Sequence, residues 1–133
     1  VHGAPLDPQR FYAYIYEMTY KENLSHLAQE QLSICFYGHT HVQFIHRRLK
    51  SGEDEKLAPA RIEVFQPGER ILLNPGSVGQ PRDGDPRAAF SLWDRSANTV
   101  HFYRVQYPVA ATVRAVKKEG LPEDLIYRLE VGR

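Results

Sequence analysis

The chain has 133 residues, of which 42% are hydrophobic and 25% charged, the usual balance of a folded globular domain. Its 17 basic and 16 acidic residues give a net charge of +1, which disfavours a surface that binds bulk nucleic acid. No apolar run is long enough to span a bilayer, and this disfavours a membrane protein.

Two helices are predicted near the start of the chain. Asp7 followed by Pro8 is a favourable helix start and predicts a short helix near residues 8–16. A capping box at Thr19–Glu22 predicts a second helix near residues 20–31. The first of these segments is rich in aromatic residues. We expect it to pack against a sheet, with a protein-binding surface as the alternative.

The middle of the chain is predicted to be rich in strands, over residues 33–37, 42–49, 61–65, 70–73, 87–93 and 99–105. The first of these is a continuous apolar run, which is typical of a strand buried on both faces. Pro67 and Gly68 predict a hairpin turn between the third and fourth strands. The charged residues 50–60 and the glycine- and proline-rich residues 74–86 are predicted to be loops.

Two further helices are predicted at the end of the chain, near residues 109–118 and 122–129. The whole pattern predicts one mixed α and β domain. Cys35, the single cysteine, has apolar neighbours and is expected to be a buried core thiol. With no signal peptide in the sequence, the lone cysteine indicates a cytoplasmic location. It also disfavours a structural zinc site, because such sites favour several cysteines.

Two histidines follow the first predicted strand directly, in the sequence Gly38-His39-Thr40-His41. Residues two apart in an extended chain point to the same side, so His39 and His41 can face one site. Neutral imidazole is a common ligand for zinc, manganese, iron and nickel. We therefore expect this pair to bind metal rather than to be ordinary polar loop residues.

A third histidine, His2, is followed by Gly3 and lies one helical region upstream of this pair. A strand, helix, strand order brings the ends of two parallel strands to the same sheet edge, where ligands bind in α/β folds. We therefore expect His2 to lie near the other two. The remaining histidines have no such pattern and are expected to be structural or exposed: His26, His46 and His101.

The loop from Asn74 to Gly79 also follows a predicted strand. Backbone amides of a glycine-rich turn can face a phosphate, and Asn74 or Ser77 could assist. A tight turn that only shapes the fold is an equally good explanation.

Two arginines, Arg82 and Arg87, flank the acidic residues Asp83 and Asp85 farther along this loop. They could clamp a phosphate. Pairing with their acidic neighbours at the surface is the favoured interpretation.

Taken in order, these motifs resemble those of the calcineurin-like metallophosphoesterases, in particular the small bacterial phosphodiesterases of the YfcE type. The resemblance rests on Val1-His2-Gly3, on Gly38-His39-Thr40-His41 and on the residues from Asn74 to Arg82. It implies an α/β (α+β mixed) fold, a β-sandwich of two mixed sheets flanked by helices, and two divalent metal ions. Manganese is the first expectation, with iron, nickel or zinc as alternatives.

The resemblance also implies roles for individual residues. His2 and His39 would bind one metal and His41 the other, and His39 and His41 would be catalytic. Substrate contacts are expected from Asn74, Ser77 and Arg82. The implied activity is a metal-dependent phosphodiesterase or phosphatase, in which the dinuclear centre activates a hydroxide to attack phosphorus. The implied substrate is a small phosphoester or a nucleotide, and no membrane partner is expected.

The chain departs from this family in one respect. The family's Asp-x-His, Gly-Asp-x-x-Asp and Gly-Asn motifs, which supply the other ligands, do not occur in it. We therefore interpret residues 1–133 as the C-terminal portion of a single phosphoesterase domain, inactive until its N-terminal half completes the site. A non-catalytic scaffold of the same fold is the alternative, but retention of all three histidines favours the enzyme.

Overall fold

The computed structural model describes all residues from Val1 to Arg133 and contains seven strands and three helices. The strands are β1 (Ile34–Phe36), β2 (Gln43–Arg48), β3 (Asp54–Leu57), β4 (Ile62–Val64), β5 (Arg70–Pro75), β6 (Ala88–Asp94) and β7 (Thr99–Val105). The helices are α1 (Tyr20–Gln29), α2 (Val109–Lys118) and α3 (Glu123–Val131).

The strands form two sheets. The first has the order β1-β5-β2-β3, in which β1 and β5 are parallel and the other neighbours are antiparallel. The second has the order β4-β7-β6 and is wholly antiparallel. The predicted architecture of two sheets with flanking helices is confirmed, as are the predicted strands that became β1, β2, β6 and β7.

Strand β5 lies between two hydrophobic cores because its side chains alternate between the faces of the first sheet. Ile71 and Leu73 join residues of β2 and β7, together with Phe65 just after β4, in the core between the two sheets. Leu72 faces the opposite way, into a core that it shares with Leu24 and Leu27 of α1. All three β5 side chains are at most 2% exposed, so this strand is anchored from both sides.

The predicted helix near residues 8–16 is wrong: this segment is a series of turns. Its main-chain hydrogen bonds join residues three apart, from Arg10 N to Asp7 O and from Ala13 N to Arg10 O. The predicted packing of its aromatic residues on a sheet is also wrong for most of them, since only Ile15 of this segment is buried. The second helix forms as predicted, but Thr19 makes no side-chain cap bond to it.

The predicted hairpin around Pro67 and Gly68 is half right. The turn forms, with a φ of 94° at Gly68 and a hydrogen bond from Glu69 N to Gln66 O. The strands on either side do not pair with each other, because β4 pairs with β7 while β5 pairs with β1 and β2. The turn therefore carries the chain from one sheet to the other.

Residues 50–60, predicted to be a loop, contain the edge strand β3. Cys35 is partly buried and packs against the α1 core, close to the prediction, and burial raises the pKa of its thiol. None of the three helices combines the length and the apolar character that crossing a bilayer would require.

Candidate metal centre

The first residues of the chain run beside the end of β1, and this places His2 at the edge of the first sheet. The nitrogen of Val1 donates to the carbonyl of Phe36 at 3.0 Å, and the amide of Gly38 donates to the carbonyl of His2 at 2.9 Å. These two bonds bring His2 next to the loop that follows β1. The predicted proximity of His2 to the Gly38–His41 motif is therefore seen in the fold.

The rings of His2 and His39 converge. Nε2 of His2 lies 2.9 Å from Nδ1 of His39, close enough for one ring to donate a hydrogen bond to the other. The second nitrogen of His39, Nε2, is buried and has no partner of good hydrogen-bond geometry, although a backbone contact with Tyr12 opposes the fall in the pKa of this ring. A buried polar atom without a hydrogen-bond partner destabilises the folded state. This nitrogen is therefore expected to bind a group that the chain itself does not supply.

The backbone of the histidine loop is not extended, so the reason given for expecting His39 and His41 to share a side is wrong. Both residues have positive φ angles, 67° at His39 and 60° at His41. Such angles are uncommon outside glycine and often occur at functional sites. A tight hydrogen bond from Thr40 N to Gly38 O, 2.8 Å long, closes the turn between them. The directions of the two histidine side chains are therefore set by a turn, and not by the alternation of side chains along an extended strand.

His41 is held in one tautomer by the neighbouring loop. Its Nδ1 lies 2.7 Å from the carbonyl oxygen of Gln80. A carbonyl oxygen can only accept, so Nδ1 carries the proton and the lone pair on Nε2 stays free to bind a ligand. Metal-binding histidines commonly donate their other ring N–H to a backbone carbonyl in this way. The amide of Arg82 in turn donates to the carbonyl of His41 at 3.1 Å, which ties the two loops together.

Electrostatics favour the neutral, metal-binding form of His39. Burial is the largest cause that lowers the pKa of this imidazole. The positive charges that His2, His41 and Arg82 can carry lower it further. All four side chains therefore influence one region, and protonation of His39 is disfavoured there.

Asn74 lies beneath the histidine loop and is fully buried. Its side-chain nitrogen donates to Gly38 O at 2.9 Å and to Thr40 Oγ1 at 2.8 Å, and its oxygen accepts from Gly76 N at 2.9 Å. Both amide hydrogens are thus occupied inside the protein. This geometry makes Asn74 a support for the histidine loop, whereas the sequence suggested a contact with substrate.

The other two predicted substrate-binding residues lie in different settings. Ser77 accepts a hydrogen bond from Gly79 N at 3.2 Å and lines a groove that includes Phe36 and Trp93. Arg82 is exposed and forms no salt bridge with any residue of the chain. Arg82 is therefore the predicted residue that remains free to meet an anion.

The second arginine of this loop is already paired. Arg87 contacts Asp85 through two nitrogens, at 3.0 and 2.6 Å, and this contact lowers the pKa of Asp85 to about 2. Asp83 pairs with Arg104 of β7, so it too is neutralised within the protein. The surface pairing favoured for Arg87 is what the structure shows, but the same pairing does not extend to Arg82.

The residues present fit part of a metal site and do not complete one. His2, His39 and His41 are suitable ligands by residue type, and Nε2 of His39 and Nε2 of His41 form no hydrogen bond that would prevent ligand binding. No group of three or more histidine, cysteine, aspartate or glutamate side chains in the chain is close enough to hold an ion by itself. The donor set therefore needs further ligands, and carboxylates would suit the divalent metals expected here.

Aromatic residues beside the histidines were not foreseen as part of the site. The ring of Tyr14 is 4.0 Å from that of His39, and the ring of Phe11 is 6.2 Å from that of His2. The contribution of Gln80 was also missed, and no sequence signal could have revealed it, because it acts through its backbone carbonyl.

Comparisons with known proteins agree with this geometry. The family model for the calcineurin-like phosphoesterase superfamily domain matches residues 2–97. This range includes all three histidines and the loop around Arg82. The uncharacterized protein MJ0912 of Methanocaldococcus jannaschii is 34% identical over 100 residues, which make up 75% of this chain and 40% of that protein.

Two solved structures resemble the whole chain. A metallophosphoesterase from Sphaerobacter thermophilus has a TM-score of 0.84 and 38% identity, covering 100% of this chain and 54% of that one. The hypothetical protein PH1004 from Pyrococcus horikoshii OT3 has a TM-score of 0.70 and 21% identity, covering 100% of this chain and 45% of that one, which shows the fold alone. The chain thus spans about half the length of these relatives, or less.

Proposed function

Because this chain belongs to the calcineurin-like phosphoesterase superfamily, we propose that the complete protein is a metal-dependent phosphoesterase that hydrolyses phosphodiesters. Proteins of this superfamily generally use divalent metals. The observation that carries the proposal is the convergence of His2 and His39, whose ring nitrogens are 2.9 Å apart while Nε2 of His39 has no partner. A buried ring nitrogen without a partner is uncommon, and a bound ion would supply one.

In this proposal His2 and His39 hold one ion and His41 holds the other. Two divalent ions would neutralise charge on the phosphate and lower the pKa of a bound water. The chain's own residues orient the site: Gln80 fixes the tautomer of His41, and Asn74 fixes the turn that presents both loop histidines. Arg82, which has no salt-bridge partner, is placed to meet a phosphate oxygen.

The missing carboxylate and asparagine ligands are proposed to come from a part of the protein outside these 133 residues. Two observations support this: the chain covers 54% of its Sphaerobacter thermophilus relative, and it has no group of three metal-binding side chains of its own. Membership of the YfcE-type branch, manganese as the metal and a cytoplasmic location all stay predictions.

The proposal is tested by hydrolysis of bis-p-nitrophenyl phosphate by the complete protein with added manganese. Replacing His41 with alanine removes a proposed ligand, so we expect the rate to fall about 100-fold or more. His26→Ala, on α1 and outside the site, is the matched control and should keep the wild-type rate.

One observation favours a second function. Because the chain has no complete ligand group, a non-catalytic scaffold of the same fold is the alternative. No hydrolysis with manganese, nickel, iron or zinc would contradict the enzyme and support that scaffold.

A further inference from the structure

The turn segment Phe11–Tyr16, here called the aromatic loop, exposes an unusual amount of aromatic surface. Phe11 is 69% exposed, Tyr12 72% and Tyr14 45%. Single exposed apolar side chains are ordinary, but a contiguous group of them commonly marks a binding site. The hydrophobic core does not require these rings, because Ile15 and the partly buried Ala13 anchor the middle of the loop in the α1 core.

The aromatic loop lies directly beside the proposed metal-binding histidines. Tyr14 packs on His39 and Phe11 approaches His2, with ring centroids 4.0 and 6.2 Å apart. Tyr12 comes between these two contacts in the chain. A ligand held at the histidines would therefore have exposed aromatic rings next to it.

The aromatic loop is fixed in this position by its neighbours. Gly3 permits the approach, because a Cβ there would lie 2.5 Å from the carbonyl oxygen of Ala13. The Thr19 hydroxyl donates to Tyr14 O at 2.8 Å and accepts from Tyr16 N at 3.1 Å. Such a preorganised surface loses little conformational entropy when it binds a ligand.

The base of the loop is held by the buried Asn23. Its side-chain oxygen accepts from Leu6 N at 3.0 Å, and its nitrogen donates to Thr19 O at 2.9 Å. The cleft beneath the loop, lined by Tyr12 and Tyr14 together with Leu6 and Arg10, has a volume of about 360 Å³. The loop thus combines rigid support with open space beside its rings.

We propose, on the premise that the protein is a phosphoesterase, that Phe11 and Tyr12 form a stacking surface for a planar aromatic group on the substrate. The phosphate would lie at the histidines and Arg82, and the ring would lie on the aromatic loop. Aromatic side chains bind nucleobases in this way without reading their sequence. A nucleoside phosphoester is therefore the favoured substrate class.

The test compares three substrates that all release p-nitrophenolate: the p-nitrophenyl esters of thymidine 5′-phosphate, phenyl phosphate and methyl phosphate. Stacking of one ring predicts that the complete protein prefers the thymidine ester to the methyl ester at least about fivefold in kcat/KM. The Phe11→Ala/Tyr12→Ala double variant should lose that preference. Tyr127→Ala, an exposed tyrosine on α3, is the control that should keep it.

The phenyl ester identifies the ring that is recognised. Preference for both aromatic esters supports stacking of any flat ring, and preference for the thymidine ester alone supports a nucleobase. Hydrolysis of all three esters at equal rates, or an equal loss on all three in the double variant, would overturn the stacking proposal while leaving the phosphoesterase intact. Hydrolysis of none would contradict the proposed function itself.

A binding measurement gives a second readout that needs no turnover. Calorimetry should show that thymidine 5′-monophosphate binds at least about fivefold more tightly than methyl phosphate, and that the double variant loses this difference. Equal affinities in the wild-type protein would overturn the stacking proposal.

Discussion

His46 is an ionisable residue buried in the first sheet, 4% exposed, and it lies directly opposite Lys56 in the β2–β3 ladder. Its ring stacks on Tyr20 at 4.9 Å, and its Nδ1 lies 3.4 Å from the hydroxyl of Tyr37. Burial is the main cause that lowers the pKa of His46 to about 4, with a smaller contribution from the positive charge of Lys56. His46 is therefore uncharged at neutral pH, in keeping with the structural role expected for it.

This burial predicts a loss of stability in acid. Between about pH 6.5 and pH 4 the unfolded chain binds a proton at His46 that the folded chain does not, so stability falls as the pH falls through this window. The contribution is up to about 3 kcal/mol. Urea unfolding of the complete protein across this range should show a weaker pH dependence for His46→Phe than for the wild type. Parallel pH profiles would show that His46 does not cause the loss.

At the scale of single residues, the sequence anticipated that His2 and His39 lie together but not how they are held. His41 is close enough for its charge to influence the pKa of His39, and its role as a metal ligand stays a prediction. The positive φ angles of the two loop histidines and the support from Asn74 depend on contacts between distant segments. Arg87 forms a salt bridge and Arg82 does not. This difference likewise depends on which carboxylate lies within contact distance.

At the scale of elements, the turn after β5 is fitted closely between β2 and β6. Gly76 has a φ of 86°, and a Cβ there would lie 2.6 Å from Cβ of Ala89 and 2.7 Å from Cγ of Gln43. Gln43 in turn donates from its side chain to Pro75 O at 3.1 Å and to Tyr103 O at 3.3 Å. The turn is thus the point at which the two sheets and the Asn74–Arg82 loop meet.

Replacing Gly76 with alanine should destabilise the protein by about 2–4 kcal/mol, because it adds backbone strain to overpacking. Gly52→Ala is the matched control: its φ is 92°, but no atom lies within 4 Å of the added Cβ. That variant should lose only about 1 kcal/mol. Urea unfolding of the complete protein measures both variants, and equal losses would show that packing at the turn contributes nothing.

Elements with a strong local signal were predicted well, and those defined by distant partners were not. Strand β3 was missed because its residues are charged, yet Arg47 pairs with Glu55 and Arg48 with Asp54 directly across the ladder. The Pro67-Gly68 turn was recognised, but a turn does not choose the strands that pair. The aromatic segment before α1 was assigned to a helix from its first residues, although its hydrogen bonds form only separate turns.

At the scale of the whole molecule, the two sheets are proposed to form one side of a site whose other ligands lie in another part of the protein. The chain covers 54% of the metallophosphoesterase from Sphaerobacter thermophilus and 45% of PH1004 from Pyrococcus horikoshii OT3. Several apolar side chains remain exposed beside the second sheet, among them Val78 at 68% and Trp93 at 41%. We expect the rest of the protein to bury these two side chains.

The family and the two-sheet architecture could be inferred from three short motifs in a fixed order. The substrate and the metal could not, because no group of three or more metal-binding side chains in these residues is close enough to define a complete site. The aromatic loop could be predicted only in part. Its aromatic composition is visible in the sequence, but its exposure and its position beside His39 can be seen only in the folded structure.

The most direct test of the metal centre is a crystal structure of the complete protein grown with manganese, with anomalous differences collected to locate the ions. We predict two peaks roughly 3.5–4 Å apart, one bound by His2 and His39 and the other by His41. Peaks elsewhere, or no peak while His2 and His39 remain in direct contact with each other, would contradict the account.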